Sequence, residues 1–231
     1  MRLTFKKGLL HGFPICLGYL SVSFGFGISA VGSGLSFIEA AAISATNLTS
    51  AGQAAGVEII RSAGGYIEMV LTQLIINLRY ALMGISLSQK LESSYGAAAR
   101  MVTSFGITDE IFAVAYSQVG IVTPVYMLGM IFISWVGWTG GTIVGALAGT
   151  LLPTVITGAL GIMLYAMFIA IIVPASKENK TVLLAVGISI LLSMLFKYAL
   201  PFVSSGFAII ICAVVASVLT ALIFPVKEDE G

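Results

Sequence analysis

Runs of about 20 apolar residues, each long enough to cross the roughly 30 Å hydrocarbon core of a bilayer as a helix, recur from end to end of this sequence with only short polar joints between them. That pattern leaves few folds open. Backbone amides and carbonyls cannot be left bare in lipid, so runs of this length must be helices. With 58% hydrophobic and 9% charged residues and a mean hydropathy of +1.08, the 231-residue chain lacks the polar surface to cover a soluble globule. The sequence predicts an all-α integral membrane protein: a polytopic helical bundle of about seven to eight membrane segments, in a single transmembrane domain (1–231) with no soluble module.

The segments fall at Gly12–Val31, Phe37–Ile60, Gly65–Leu87, Ala97–Gly120, Val122–Ala146, Pro153–Pro174, Thr181–Tyr198 and Phe202–Phe224. The first follows the charged start MRLTFKK, but its apolar run outlasts the roughly 7–15 residues of a signal-peptide core and is read as a helix. Two segments are interrupted. Phe37–Ile60 holds Glu39, Asn47 and Gln53, and Ala97–Gly120 holds Arg100, Asp109 and Glu110, so each is expected to be broken or re-entrant. If all eight cross, with the N-terminus cytoplasmic, Arg2, Lys6, Lys7, Arg61, Lys177, Lys180 and Lys227 lie inside and Lys90, Arg100 and Lys197 outside, as the positive-inside rule prefers. One re-entrant segment would move a terminus.

The third segment carries an arginine in INLRYALMG. At about 100° per residue, Val70, Leu71, Leu74, Leu78, Ala81 and Leu82 share one side, while Glu68, Thr72 and Arg79 form one polar stripe and Gln73, Asn77, Tyr80 and Gly84 another. A mid-membrane charge facing lipid costs at least about 2.5–3.5 kcal/mol, which turns Arg79 toward protein or a wet cavity. Glu68 is roughly 16 Å away along the same helix, so the partner of Arg79 must come from another segment. Snorkelling to an interface is the bland alternative, but the shorter Gln73 and Asn77 cannot follow it there.

The fourth segment supplies a candidate partner in TSFGITDEIFAVA, where Gly106 interrupts, Thr108 can cap a helix, and Asp109 and Glu110 occupy its first turn, where carboxylates suit the positive end of the dipole. This is either a capped helix at the membrane surface or a helix broken inside it, the device by which transporters present backbone amides to charged solutes. SATNLTSAGQAAGVE is similarly unsuited to lipid: Asn47 and Gln53 stand among hydroxyls, with Gly52 and Gly56 permitting close approach. In WVGWTGGTIVGALAG, Gly137, Gly141, Gly145 and Gly149 recur every four residues and present a smooth packing stripe for another helix.

The net charge of +1 offers no basic stripe for a phosphate backbone, which excludes nucleic acid as a partner. The sequence has one histidine, His11, two cysteines within apolar runs, and no phosphate loop or nucleophile elbow. No enzyme activity, metal or cofactor is expected. A polar path through apolar helices favours transport, with a channel, or a membrane enzyme or scaffold subunit, as the other readings.

NLRYALMG at Asn77–Gly84 and TDEIFA at Thr108–Ala113 resemble the asparagine-leucine-arginine and threonine-aspartate-glutamate motifs of the AzlC family of branched-chain amino acid exporters. GFPICLGYLSVSFGFG, TSAGQ at Thr49–Gln53 and WTGGTIVGALAG extend the resemblance over most of the chain, with departures at Ser21, Ser23, Ser50 and Tyr80. The resemblance implies the large permease subunit of a two-component secondary transporter in the bacterial inner membrane. It also implies a small AzlD-type membrane subunit as partner and export of valine, leucine, isoleucine and sometimes methionine. Residue by residue, it carries over Gln53, Asn77, Arg79, Asp109 and Glu110 as the substrate pathway. The polar stripes add Asn47, Glu68 and Gln73 as further lining.

Overall fold

The computed structural model describes residues 3–93, 95–151, 153, 155, 166, 168–169 and 172–225. The segment expected over Pro153–Pro174 lies largely outside the described residues, as do Arg2 and Lys227 of the charge count. The chain is an all-α membrane protein. Its helices are α1 (Phe5–Gly32), α2 (Phe37–Thr46), α3 (Ser50–Arg61), α4 (Tyr66–Ser88), α5 (Ala97–Ser104), α6 (Asp109–Ser117), α7 (Pro124–Leu151), α8 (Lys180–Ala199) and α9 (Ser205–Ile223). Five of these, α1, α4, α7, α8 and α9, are long and apolar enough to cross a bilayer.

Local sequence explains the boundaries. Thr4 opens α1 by accepting the Lys7 amide hydrogen, and Ser36 with Glu39 closes a capping box at the start of α2. Pro124 occupies the first turn of α7, where a missing N–H costs nothing, and the Thr123 hydroxyl accepts from the Tyr126 amide. Both interrupted segments are broken helices. α2 stops at Asn47, whose backbone is extended (φ −147°, ψ 127°), and the chain re-enters helix at Ser50. α5 stops at Ser104, and the chain resumes at Asp109 behind the cap Thr108. Each half, at about 12–18 Å, is too short to cross alone.

The helices cluster into two compact units, Met1–Ala54 with Asn77–Leu164, and Ala55–Ile76 with Tyr165–Gly231. The first is built on α1 against α7, which bury a core including Phe26, Ile111, Tyr126, Met127, Met130 and Trp138. The glycine stripe makes this contact. A Cβ on Gly137 would strike the backbone of Cys16, one on Gly141 that of Leu20, and one on Gly145 that of Phe24, while Gly149 faces Ile28 with ordinary clearance. Gly8, Gly12 and Gly27 of α1 are matched in return against Tyr126, Met130 and Thr142 of α7. No other residue allows backbones this close.

Contact positions advance together, from Phe5 beside Gly129 to Ile28 beside Gly149, so α1 and α7 run parallel. The chain between them must therefore cross the bilayer an odd number of times. If α4, long and apolar enough to cross, does so once, the two broken segments either both cross or both turn back. In the second unit α8 packs on α9, and the buried Glu68 of α4 meets the start of α9 at the Gly206 amide, 2.7 Å away.

Candidate functional site

Both breaks expose the amide end of a short helix, and polar side chains of the first unit gather there. At the α3 start the Thr49 hydroxyl accepts from the Gly52 amide (3.3 Å) and donates to Asn77 Oδ1 (2.7 Å), which ties the break to α4. Two residues further along α4, Arg79 Nη1 lies 2.9 Å from Asp109 Oδ2 in the first turn of α6. Nη2 of the same guanidinium donates to the Tyr80 hydroxyl at 3.2 Å, and its carbon stands 5.0 Å over the Tyr80 ring. One stretch of α4 thus meets both breaks. The Arg79–Asp109 pair is its open face, with 46% and 43% of the two side chains accessible.

Beside the pair Glu110 is exposed, and from it a line of contacts runs inward to buried side chains. The Tyr19 hydroxyl of α1 lies 2.5 Å from Thr108 Oγ1 and 2.6 Å from Glu110 Oε2. A phenol has one proton and a carboxylate only accepts, so Tyr19 gives its proton to Glu110 and receives that of Thr108. Thr108 in turn accepts from the Ile111 amide and so caps α6. Trp138 of α7 meets the Tyr19 ring edge-on at 5.2 Å and donates its indole N–H to Gln53 Oε1 at 2.8 Å. Gln53, only 2% exposed, passes the chain to Ser44 Oγ (2.8 Å), which contacts Thr142 Oγ1 (2.7 Å). A continuous line of polar and aromatic contacts joins one broken segment to the other through α1 and α7.

Gln53, Asn77, Arg79, Asp109 and Glu110 therefore share one assembly, but their exposure differs. Arg79, Asp109 and Glu110 are accessible, whereas Gln53 has both ends of its amide engaged by protein. Asn47 is the half-buried C-cap of α2 at the break itself. Glu68 and Gln73 belong to the second unit, Glu68 on Gly206 of α9 and Gln73 beside Gly56 of α3. Periodicity missed Tyr19 and Trp138. The signal was their depth: a phenol or indole mid-helix in a membrane segment needs a hydrogen-bond partner.

Chemically the site offers a guanidinium, two carboxylates and two helix amide ends, a set that holds charged groups of both signs. Among the described residues no three His, Cys, Asp or Glu side chains converge as a metal cluster would require. His11 contacts the Tyr126 hydroxyl at 2.8 Å, away from the acids.

Fold and site together define a polytopic helical membrane protein with a charged side-chain assembly built at two helix breaks. The AzlC protein family model matches residues 14–152, which run from within α1 to the end of α7 and include every residue of the assembly. The chain belongs to the AzlC family, a family of transport-type membrane proteins. It is 27% identical over 228 residues to the Inner membrane protein YgaZ of Escherichia coli (strain K12), covering 95% of this chain and 90% of that one. It is also 30% identical over 175 residues to an uncharacterized membrane protein of Archaeoglobus fulgidus, covering 75% and 76%. No solved structure matches.

Proposed function

We propose that this chain is the large permease subunit of a two-component secondary transporter that exports branched-chain amino acids (valine, leucine, isoleucine, sometimes methionine) across the bacterial inner membrane. Its partner in this reading is a small AzlD-type membrane subunit. The observation that carries the reading is the Arg79–Asp109 pair, a cation and an anion 2.9 Å apart and both accessible. A zwitterion inserted between them exchanges one ion pair for two: its carboxylate takes the Arg79 fork and its ammonium takes Asp109. The amide end of α6 favours the same anion. Because the site's own charges are released toward the ligand, neither partner is left buried and uncompensated as the substrate enters.

Glu110 stands one residue from Asp109 and accepts from the buried Tyr19 hydroxyl. In this mechanism Glu110 takes and returns the coupling proton, and Tyr19 orients it. The test is counterflow of a panel of radiolabelled amino acids in proteoliposomes, with and without the small subunit. Saturable exchange of valine, leucine and isoleucine is expected. Absence of amino acid movement in every combination would sink the proposal, and unsaturable flux at channel rates would replace it.

A further inference from the structure

The second unit holds a cavity that the Arg79 assembly does not use. It measures about 690 Å³, within the roughly 300–1,000 Å³ typical of small-molecule sites. Small residues make the room: Ser189 and Ser193 line it from α8, and Ala208 and Ala213 from α9. Lys197, in the last turn of α8, lines it too. From Lys197 to Ser189 the wall descends about 12 Å along a helix of membrane length.

The Lys197 end lies at headgroup level. Tyr198 and Phe202, at the turn from α8 to α9, are largely exposed, as is Tyr66 at the start of α4, a helix whose Glu68 reaches the first turn of α9. Exposed aromatic rings gathered at one end of membrane helices mark the membrane–water interface. The cavity therefore begins among lipid headgroups and runs down beside acyl chains.

Two charged side chains line it, Glu58 and Lys197. Glu58 is already neutralised, because Arg61 donates to it through Nε at 2.9 Å and through Nη2. Lys197 suits the carbonyl end of the helix dipole, but no ion pair reaches it among the described residues. Its ammonium lies 5.7 Å from the Tyr198 ring centroid. Ser193, one turn away on the same face, is exposed and adds a hydroxyl donor. Below these two donors the wall is largely apolar, with Phe196 and Ile209 among its residues. A free cation above an apolar cleft suits an anion with a hydrocarbon tail.

We propose that this cavity binds an anionic phospholipid, its phosphate held by Lys197 and Ser193 and its glycerol and upper acyl chain seated between α8 and α9. A headgroup of charge −1 balances the one free cation of the lining. A zwitterionic headgroup brings an added ammonium, and the acid that could receive it, Glu58, is taken by Arg61.

The experiment uses the full chain purified in dodecyl maltoside and doped with phosphatidylglycerol, phosphatidylethanolamine or phosphatidylcholine. It reads the lipid retained in native mass spectrometry and the unfolding midpoint. No transport assay enters, so failure here is separable from failure of the export reading. Phosphatidylglycerol is expected to be retained and to raise the midpoint saturably, with the other two lipids several-fold weaker in both. Lys197→Gln should lower phosphatidylglycerol retention several-fold and Ser193→Ala by less, while Lys180→Gln, at the opposite end of α8, should leave it unchanged. Ala213→Leu narrows the cavity without altering any charge and should also lower retention, which separates a seated lipid from one merely attracted to a basic surface. Should Ala213→Leu fail to fold, Ala208→Leu narrows the same cavity. The proposal is overturned if the three lipids perform alike, or if either Lys197→Gln or the narrowed variant retains phosphatidylglycerol as the wild type does.

Discussion

Replacing Gly145 with alanine inserts a single methyl where α7 meets α1. Its carbon would come 2.7 Å from the carbonyl carbon of Phe24 and 2.8 Å from its Cα, and nearer still to its oxygen. Carbon atoms rest at about 3.5–4.0 Å, so α1 must retreat by roughly 1 Å over a contact that involves backbone and has no rotamer to yield. Overpacking of this kind costs about 1–3 kcal/mol. Alanine also gains about 0.8–1.0 kcal/mol of helix propensity over glycine, which obscures the cost in a single variant. Gly140→Ala removes the ambiguity, because a Cβ there meets nothing within 4 Å while the propensity gain is the same. Gly149→Ala, with its nearest atom at 3.4 Å, should fall beside Gly140→Ala. Unfolding midpoints of the purified variants should thus separate Gly145→Ala from the other two by roughly 3–10 °C. Equal midpoints for Gly145→Ala and Gly140→Ala would refute the packing argument. Altered substrate preference at wild-type stability would show that the stripe faces the pathway instead.

Arg79→Ala should abolish counterflow and Arg79→Lys should restore little of it, since the fork is lost. A half-exposed pair is worth only about 0–1 kcal/mol, so both variants should keep near-native unfolding midpoints, and a large loss of stability would assign the pair a structural role. Gln53→Ala leaves the Trp138 indole and the Ser44 hydroxyl short of partners and should cost about 1–3 kcal/mol in the same unfolding measurement, with little change in substrate selectivity in counterflow. Glu110→Gln should lose pH-gradient-driven accumulation yet retain exchange at equal concentrations, and Tyr19→Phe should weaken accumulation in the same direction. Retention of full accumulation in Glu110→Gln removes it as the coupling group.

Helix positions were largely legible because lipid imposes a hydropathy rule on every residue it touches. The segments expected at Gly65–Leu87 and Thr181–Tyr198 end within one residue of α4 and α8. α1 starts earlier than its apolar run, at Phe5 rather than Gly12, because Lys6, Lys7 and His11 interrupt hydropathy without interrupting the helix. The breaks at Asn47 and before Asp109 were announced by residues that have no place in lipid. The segment that partners Arg79 was legible, since the acids of TSFGITDEIFAVA were its expected source, but the partner of Glu68 was not. Periodicity puts Glu68 and Arg79 on one stripe of α4, yet Glu68 contacts Gly206, 138 positions away in sequence, while Arg79 meets Asp109. Face is a local property of a helix, and the opposing residue is a property of the whole chain.

The parallel union of α1 with α7 also sets a schedule for biogenesis. α1 leaves the ribosome about 120 residues ahead of its mate, which at about 5–20 residues per second is a wait of roughly 6–24 s. Throughout that interval the glycine face of α1 is bare within the membrane, able to pair with a second nascent copy or be sampled by quality-control proteases. A chain that stalls or is truncated before Pro124 never receives the surface that covers it. Such fragments should be cleared rapidly, and the pace of translation across α2–α6 becomes a determinant of how much of the protein a cell accumulates.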